Sequence, residues 1–372
     1  MNTKIMTDVA GLKSIQQDWE RLEGQNPSLS YYSTFRYNYA WWLAHGHDPK
    51  LKLFIICCYK DSVLVGIAPL MIRRNEKRIF NFHVLCFLGQ GDYLDFIVGS
   101  NGSSVQLIIK HLFKAILEHE GQWDKISLTH LCMQSALLHY LLRSDTYHAH
   151  VEYLTSCPRL NMEQFSSFEQ LSQHIFNTKL LKKIEKMKKQ IPYRLRVVHG
   201  DESEEILDRI ASIHKMEKEY LLEQKGRSER KSIFDDPANH DFLKRLFKNN
   251  EQVVIFMLEA EDGDTIIYSC CYMHGNVSYN WNTGYSPRYS SIHGIVDVLQ
   301  YEIFKYMYET KHAMNIDLGA GSYPWKFKWV NQFVVNYSFT YWNHSSFNSR
   351  LIRTLVKARR ILRYARGADH AH

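Results

Sequence analysis

The sequence predicts a mixed α/β (α+β) protein of two domains, each a mainly antiparallel sheet flanked by helices. Three observations support this class. The chain has 372 residues, more than one ordinary core accommodates. Hydrophobic residues make up 45% and charged residues 23%, which are ordinary values for globular domains. The order of helix-like and strand-like segments in the first half recurs in the second half, although the residues themselves show no clear sequence repeat.

The first half opens with a short strand, Ile5 to Val9, and an amphipathic helix from Gly11 to Leu22, whose apolar residues recur at helical spacing. The pair Lys60-Asp61 is expected to form a tight turn between two strands. The predicted elements beyond the first helices are strands at Leu51–Tyr59, Ser62–Ile72, Arg78–Leu88, Leu94–Val98, Lys125–Leu131 and His148–Tyr153, and helices at Ser104–Glu118 and Gln134–Leu142.

The second half contains a lysine-rich amphipathic helix, Thr178–Gln190, which Pro192 ends. The pairs Asp262-Gly263 and Gly275-Asn276 are typical of hairpin turns. The remaining predicted elements are helices at Ser167–Ile175, Ser203–Tyr220, Asn239–Lys248 and His293–Thr310, and strands at Tyr193–Val198, Gln252–Ala260, Thr265–His274, Val277–Thr283, Asn315–Leu318 and Val334–Trp342.

Cysteine and histidine usage argues against a metalloprotein or a disulfide-linked scaffold. The seven cysteines are odd in number, lie mostly in strand-like segments and form no C-x-x-C pair, so we interpret them as reduced core residues. The histidines lack partners at ligand spacing, so we expect no metal. Because no apolar run of signal or membrane length occurs, we expect a soluble cytoplasmic protein.

The positive charge is concentrated near the C-terminus. Seven basic residues and no acidic residue lie between Arg350 and Arg366, which equals the whole formal net charge of +7. The rest of the chain is near neutral, which argues against DNA binding. We predict one amphipathic helix over Arg350–Arg366 that covers the core of the second domain, with anionic lipid or RNA contact as the alternatives.

A strand, loop and helix over Tyr279–Gly294 form the candidate site for a phosphorylated ligand. The N-terminus of a helix offers unpaired N–H groups and the positive end of the helix dipole, and Gly294 allows close backbone approach. Arg288 adds a charge-assisted contact. The alternative is that Ser290 or Ser291 only caps the helix. The residues that we assign to the phosphorylated ligand are Tyr285, Arg288, Ser290, Ser291, His293 and Gly294.

The stretch from Tyr279 to Lys326 resembles the CelD-type cellulose-biosynthesis acyltransferases of the GNAT superfamily. The resemblance lies in an aromatic strand followed by Gly284-Tyr285, the helix-opening Gly294, Ile316-Asp317-Leu318 and Gly321-x-Tyr323-x-x-Lys326. Other features occur in the family's order and extend the resemblance to about Trp342: the Trp19 and Trp41/Trp42 region, Ala68-Pro69-Leu70, Gly91-Asp92-Tyr93-Leu94-Asp95 and the basic helix Lys179–Lys189.

The resemblance implies two tandem GNAT-like domains in a FemAB-like arrangement. They would comprise residues 1–158 and 159–345, followed by a basic amphipathic helix and tail at 346–372. The second domain would bind acyl-CoA or a similar acyl carrier thioester, and the acceptor would lie in a cleft between the domains. The catalytic assignments are Asp317, Lys326 and Asp95, and the acceptor contacts are Asp92, Tyr93, Trp281 and Tyr323.

Each of these charged residues also has a structural interpretation. Asp317 lies at a strand end two residues before Gly319 and is equally suited to a turn, and Lys326 is equally suited to a solvated position between two tryptophans. In the catalytic interpretation, Asp317 is an orienting carboxylate, and the positive charge of Lys326 stabilises a phosphate or a developing oxyanion. Asp92 and Asp95 either line a cleft or polarise a loop.

The expected activity is acyl transfer from acyl-CoA or an acyl carrier protein to an amine or hydroxyl of a small molecule, a sugar or a polysaccharide precursor. Direct attack by the acceptor is favoured, since the sequence has no Gly-x-Ser-x-Gly elbow for a covalent mechanism. Two alternatives stay open. The first is a FemAB-like ligase that uses aminoacyl-tRNA, with the basic helices as tRNA or membrane contacts. The second is a non-catalytic GNAT binding module.

Overall fold

The computed structural model describes residues 1–77, 80–99, 104–176, 178–228 and 231–354. Contacts within the chain divide it into two compact units. Unit 1 contains Met1–Phe35, Gly46–Leu154 and the chain from Asn336 onward, and unit 2 contains Arg36–His45 and Thr155–Val335. Each unit is therefore assembled from segments that are separated in the sequence.

The first 161 residues contain helices and strands of moderate length. The helices are α1 (Val9–Ser14), α2 (Gln16–Gly24), α3 (Phe35–His45), α4 (Val105–Glu118) and α5 (Ala136–Leu142). The strands are β1 (Asn2–Met6), β2 (Leu51–Leu53), β3 (Ile55–Lys60), β4 (Val63–Ala68), β5 (Leu70–Lys77), β6 (Phe80–Phe87), β7 (Ile97–Val98), β8 (Lys125–Cys132) and β9 (Val151–Asn161).

The later elements follow in the order that the sequence predicts. The helices are α6 (Phe168–Ile175), α7 (Thr178–Gln190), α8 (Ser203–Lys225), α9 (Pro237–Phe247), α10 (Ile295–Thr310) and α11 (Pro324–Phe327). The strands are β10 (Tyr193–His199), β11 (Val253–Ala260), β12 (Thr265–His274), β13 (Val277–Tyr285), β14 (Asn315–Asp317) and β15 (Gln332–Trp342). Residues 347–354 are also helical.

Unit 1 contains two groups of strands. One is a four-stranded sheet in the order β1-β3-β4-β7, with antiparallel pairing throughout. In the other group, β2, β5 and β6 pair antiparallel, β6 and β8 pair parallel, and the part of β15 from Asn336 onward pairs antiparallel with β8. Helix α4 packs against β3 and β4 and buries an apolar face that includes Ile109 and Leu112.

Two strands that the sequence predicts as continuous are broken in unit 1. The predicted strand Leu51–Tyr59 splits into β2 and β3 at Phe54, and its partner splits into β4 and β5 at Pro69. Because proline has no N–H group, Pro69 cannot continue the ladder, and the chain passes there from one group of strands to the other. The predicted turn at Lys60-Asp61 is present, and Asp61 and Ser62 have positive φ angles of 50° and 67°.

The first predicted helix is also broken. Helix α1 is capped by the Asp8 carboxylate, which accepts a hydrogen bond from the Gly11 N–H at 2.7 Å, and the break to α2 occurs at Ile15. The predicted strand Leu94–Val98 is reduced to β7, while β9 extends the predicted last strand to Asn161. Most other predicted elements agree with the structure to within a few residues.

The strands of unit 2 pair in the order β10-β11-β12-β13-β14-β9. Pairing is antiparallel except between β13 and β14, which run parallel because α10 connects them as a crossover. Apolar residues of α6, α7 and α10 pack on one face of this sheet, including Leu171, Met187 and Leu299. The predicted fold class is therefore confirmed: mixed α/β with mainly antiparallel sheets flanked by helices.

All seven cysteines are free thiols, and five of them are buried. Burial raises the pKa of the Cys271 thiol to about 12, so it remains protonated at neutral pH. This agrees with the interpretation of these cysteines as reduced core residues. Within the described ranges, no helix combines the length and apolar character needed to cross a membrane.

Candidate active site

The candidate site lies in unit 2, where two parallel strands part. Strands β13 and β14 pair from Val277 opposite Asn315 to Tyr279 opposite Asp317, and the pairing stops there. Beyond this point the structure contains a cavity of about 620 Å³. It is lined by Arg227, Asn280, Trp281, Asn282, Thr283, Gln300, Leu318, Tyr323, Trp325 and Lys326.

A bulge in β13 places Trp281 at this cavity. Across the β12 and β13 pair, Cys270 opposes Asn282 and Cys271 opposes Asn280, so Trp281 has no partner in the ladder. Bulges of this kind redirect a side chain and are frequent next to active sites. The indole stacks on Tyr272, with 5.3 Å between ring centroids, and this contact fixes the plane of the ring.

Three polar atoms of the cavity-lining residues are buried and have no hydrogen-bond partner among the residues that the structure describes: Trp281 Nε1, Asn280 Nδ2 and Gln300 Oε1. The amide oxygen of Asn280 accepts hydrogen bonds from Cys271 Sγ at 3.1 Å and Ser278 Oγ at 3.3 Å, which sets the orientation of the amide. Leaving a buried polar group without a partner costs about 1–3 kcal/mol. Each of the three atoms carries this cost in the structure.

Lys326 is 6% exposed and holds a short loop next to the cavity. Its ammonium donates hydrogen bonds to the carbonyl oxygens of Gly319 at 3.0 Å and Ala320 at 2.9 Å. Asp317, which lies two residues before Gly319 of this loop, is fully buried and is not among the residues that line the cavity. Asp317 Oδ2 accepts two hydrogen bonds from Arg159 at 3.1 and 2.8 Å, and Oδ1 accepts one from the Gly319 N–H at 2.8 Å.

The N-terminus of α10 lies close to a lysine of α7. Gly294 is the N-cap of α10 and has a φ angle of 91°, and no side chain in the described part of the chain caps this helix. The side chain of Lys183 lies over Gly294, with Nζ 3.0 Å from the position that a Cβ atom would take there. In the first turn, Asp297 is paired with Lys328 at 2.5 Å, which neutralises the nearest carboxylate. The end of the helix is therefore suited to an anion.

The other residues assigned to a phosphorylated ligand have varied environments. Arg288 is 61% exposed and pairs with Asp262 at 3.1 Å and Asp264 at 3.0 Å, on the β11 and β12 hairpin. Tyr285 ends β13 and packs against the core of unit 2. Ser290, Ser291 and His293 belong to the turn before α10, and neither serine caps the helix.

Asp92, Tyr93 and Asp95 belong to unit 1. Asp92 lines a separate cavity of about 370 Å³ together with Arg73 and His130. Tyr93 is buried. Burial raises the pKa of Asp95 to about 6, although its carboxylate interacts with Ser135 and with backbone N–H groups at the start of α5. The contacts of Asp95 are those of a helix cap.

Comparison with known protein families finds one match, and it lies within unit 2. Residues 176–327 match the model of the acetyltransferase (GNAT) domain. The matched stretch contains α7, α10, the parting of β13 and β14, and every residue that lines the 620 Å³ cavity. No curated protein sequence matches the chain.

Solved structures share the fold over nearly the whole chain. FemX has a TM-score of 0.59 at 12% identity, covering 96% of this chain and 100% of that one. L-PGS from Bacillus licheniformis has a TM-score of 0.53 at 15% identity, covering 93% and 95%. A conserved protein of unknown function from Bacteroides thetaiotaomicron has a TM-score of 0.52 at 10% identity, covering 90% and 99%. The shared fold therefore extends well beyond residues 176–327.

Sequence reasoning selected Trp281, Tyr323 and Lys326, which the structure brings together at the 620 Å³ cavity. It missed Gln300 and Asn280. A signal for Gln300 exists, because it is a polar residue among the buried positions of the amphipathic helix α10. Lys183 was recognised only as one member of a lysine-rich helix, and its position over Gly294 depends on tertiary packing.

Proposed function

We propose that the protein transfers an acyl group from acyl-CoA, or a similar thioester carrier, to an amine or hydroxyl of a small-molecule or glycan-precursor acceptor. The observation that supports this most strongly is the parting of parallel strands β13 and β14 around a cavity, next to an uncapped helix N-terminus. A carrier with an extended arm and a phosphate group at its far end fits this arrangement.

The phosphates of the carrier bind at Gly294 in this proposal. The first N–H groups of α10 have no intrahelical partner, and Lys183 adds a positive charge above them. Gln300 lines the cavity and lies five residues beyond Ile295, where the helix begins. This part of the cavity is therefore about 8 Å from the start of the helix, measured along its axis. The arm of the carrier then runs from the helix end towards the cavity.

The thioester lies in the cavity beside Lys326. The acceptor attacks the thioester carbonyl carbon, and negative charge develops on the carbonyl oxygen. Lys326 is the proposed stabiliser of that charge, because this residue lines the cavity and its ammonium is fixed by the Gly319 and Ala320 carbonyls. Asp317 acts as a positioning residue, since its oxygens bind Arg159 and the Gly319 N–H of the same loop.

Calorimetric titration with CoA and with pantetheine, which lacks the nucleotide and its phosphates, tests this proposal. CoA should bind the wild-type protein, and Lys183→Gln should weaken CoA binding by about tenfold, the effect of one charge-assisted contact. Pantetheine binding should be unchanged in that variant. Lys182→Gln is the matched control, because Lys182 is the exposed neighbour on the same helix and should leave CoA affinity unaltered.

Two outcomes would contradict the carrier assignment: no CoA binding by the wild-type protein, or equal CoA affinity in both lysine variants and the wild type. Turnover is measured separately. Chromatography detects the CoA that is released from acetyl-CoA. Tight CoA binding without any acyl transfer across an acceptor panel would favour the non-catalytic binding module over the transferase.

A second donor, aminoacyl-tRNA, is favoured by the surface of α7. Thr178–Gln190 carries six lysines, and Lys182, Lys186 and Lys189 line one exposed groove. A row of lysines suits a polyphosphate backbone. If charged tRNA raises the melting temperature and CoA does not, this candidate replaces the acyl-CoA proposal.

A further inference from the structure

We infer that unit 1 has a binding site of its own, which takes a small monocarboxylate with a hydroxyl group on its carbon chain. The site is the cavity of about 370 Å³ that Arg73, Asp92 and His130 help to line. All of its lining residues belong to unit 1, and it shares none of them with the cavity of unit 2. The inference is therefore independent of the proposed acyl transfer.

This cavity lies where two parallel strands part, as the cavity of unit 2 does. The pairing of β6 with β8 ends at Leu85 opposite Ile126. The next residue of each strand, Cys86 and Ser127, lines the cavity. In α/β sheets, crevices outside the carboxyl ends of parallel strands are frequent ligand sites. Unit 1 thus repeats the structural setting of a ligand site.

The pairing register shows that several lining side chains share one face of these strands. Met71 and Arg73 are two residues apart in β5, so their side chains point to the same face, and Met71 pairs with Cys86. Because Leu85 and Ile126 are paired, the residues that follow them, Cys86 and Ser127, also have a common orientation. Met71, Cys86 and Ser127 therefore form the floor of the cavity, with Arg73 beside them.

Arg73 supplies the cation that recognises the carboxylate. Its guanidinium makes no hydrogen bond or ion pair with any residue in the described ranges, whereas its neighbour Arg74 pairs with Glu76 at 3.1 Å. A guanidinium suits a carboxylate because its fork of N–H groups matches the two carboxylate oxygens. An anionic ligand would give Arg73 a partner at the edge of the cavity.

The other ionisable groups of the lining favour a monoanion over a phosphate dianion. They are the carboxyl of Asp92, the imidazole of His130 and the thiol of Cys86. Burial lowers the pKa of His130, although Asp92 opposes this, and burial raises the pKa of the Cys86 thiol to about 11. Both groups are therefore neutral at neutral pH. A dianion would meet one cation beside an acidic residue, whereas Arg73 alone matches a monocarboxylate.

A bulge in β8 places His130 at the cavity. The register between β8 and β15 shifts, so that Thr129 and His130 oppose the single residue Ser338. His130 has a φ angle of 60°, and strained residues of this kind cluster at functional sites. Its Nδ1 lies 3.1 Å from Thr129 Oγ1, which leaves Nε2 without a partner among the residues that the structure describes.

The remaining lining defines the carbon chain of the ligand and its hydroxyl. Ser127 and His130 are partly exposed and line the cavity, and a ligand hydroxyl can donate to one of them and accept from the other. Met71, Phe87 and Leu94 supply apolar surface for a short carbon chain. The cavity is at the small end of the range for ligand pockets, which suits a short hydroxy acid.

Ligand-observed NMR titrations with 3-hydroxybutyrate and its longer-chain homologues test this inference. The matched probe is 3-hydroxybutyramide, which has the same chain but no charge. We expect the carboxylate to bind at least tenfold more tightly than the amide at neutral pH, and inorganic phosphate to leave it bound. Arg73→Gln should weaken carboxylate binding at least tenfold, and Arg73→Lys by less, because lysine keeps the charge but loses the fork. Ser127→Ala should weaken it by about two- to tenfold.

Arg74→Gln is the matched control, because Arg74 is the next residue of β5 and points to the opposite face. It should leave carboxylate affinity unchanged, and all four variants should keep the wild-type circular dichroism spectrum and CoA affinity. The inference is overturned if none of the hydroxy acids binds, if the amide binds as tightly, if phosphate displaces the carboxylate, or if Arg73→Gln has no larger effect than Arg74→Gln. Failure of the wild-type protein to bind CoA would contradict the proposed function and leave this site unaffected.

Discussion

Arg159 and Asp317 are cross-strand neighbours in β9 and β14, and their side chains form a doubly hydrogen-bonded ion pair at 2.8 and 3.1 Å. Asp317 is fully buried, and Arg159 is 18% exposed. The pair lies where β13 and β14 part, and Asp317 also binds the Gly319 N–H. It therefore fixes the loop whose carbonyls hold Lys326.

We expect Asp317→Asn to destabilise the protein by about 3–5 kcal/mol, because it leaves the Arg159 guanidinium without its anionic partner in a buried setting. Urea denaturation measures this change. The control is Asp262→Asn, which removes an exposed carboxylate that pairs with the exposed Arg288 and should leave the denaturation midpoint unmoved. Wild-type stability of Asp317→Asn would show that the ion pair does not hold the loop.

Glu23 should make the stability of unit 1 depend on pH. Burial raises its pKa from 4.5 to about 7, although its carboxylate accepts a hydrogen bond from the Phe35 N–H. Since the folded state then binds the proton more tightly than the unfolded state, stability contributed by this group is complete below about pH 4.5 and is lost as the pH rises to about 7.

Glu23→Gln keeps an acceptor for the Phe35 N–H and removes the buried charge. We expect it to raise the free energy of unfolding at pH 8 by on the order of 1 kcal/mol and to change it little at pH 4. Urea denaturation at both values checks this. An equal effect at both pH values would contradict the raised pKa.

The prediction that the C-terminal helix covers the core of the second domain is wrong for its described part, residues 347–354, which packs on unit 1. We expect this helix to stabilise unit 1 through one residue. Ile352 is 4% exposed and packs with Phe82 and Val84, whereas its neighbour Leu351 is 39% exposed. We expect Ile352→Ala to cost about 2 kcal/mol and Leu351→Ala to cost far less. Thermal unfolding of the two variants makes the comparison, and equal losses would mean that the helix does not cover the core. The predicted continuation to Arg366 lies outside the described residues beyond position 354.

Gly294 should be sensitive to any side chain. Its φ angle of 91° is strained for other residues, so Gly294→Ala should cost about 1 kcal/mol. Gly294→Asp adds a negative charge where the carrier phosphates bind, and we expect it to abolish CoA binding in a folded protein. Calorimetry together with circular dichroism separates the two effects. Unchanged CoA affinity in folded Gly294→Asp would move the phosphate site elsewhere.

Most of the fold was predictable from periodicity and turn residues. Helix α7, strand β12 and the hairpin turn at Gly275-Asn276 follow from local patterns, since each has a regular period or a turn dipeptide. The breaks at Phe54 and Pro69 were missed because continuous apolar runs hide the point at which a strand leaves one sheet for another. Tertiary pairing decides such a break.

The candidate site was predictable only in part. The motif from Gly321 to Lys326 led to the cavity, because its aromatic and basic residues are close in the sequence. The roles of Asp317 and Arg288 depend on distant partners, Arg159 and Asp262, which no local pattern indicates. The unsatisfied amide of Gln300 likewise becomes visible only when the packing around α10 is known.

Hydrogen exchange of backbone amides with and without CoA tests the central claim most directly. The account predicts that saturating CoA slows exchange in the segment from Tyr279 to Val296, which includes the part of β13 beyond its pairing with β14 and the start of α10. Exchange in the β1-β3-β4-β7 sheet of unit 1 should stay unchanged. Protection confined to other segments, with the Tyr279–Val296 amides exchanging at the rate of the free protein, would contradict it.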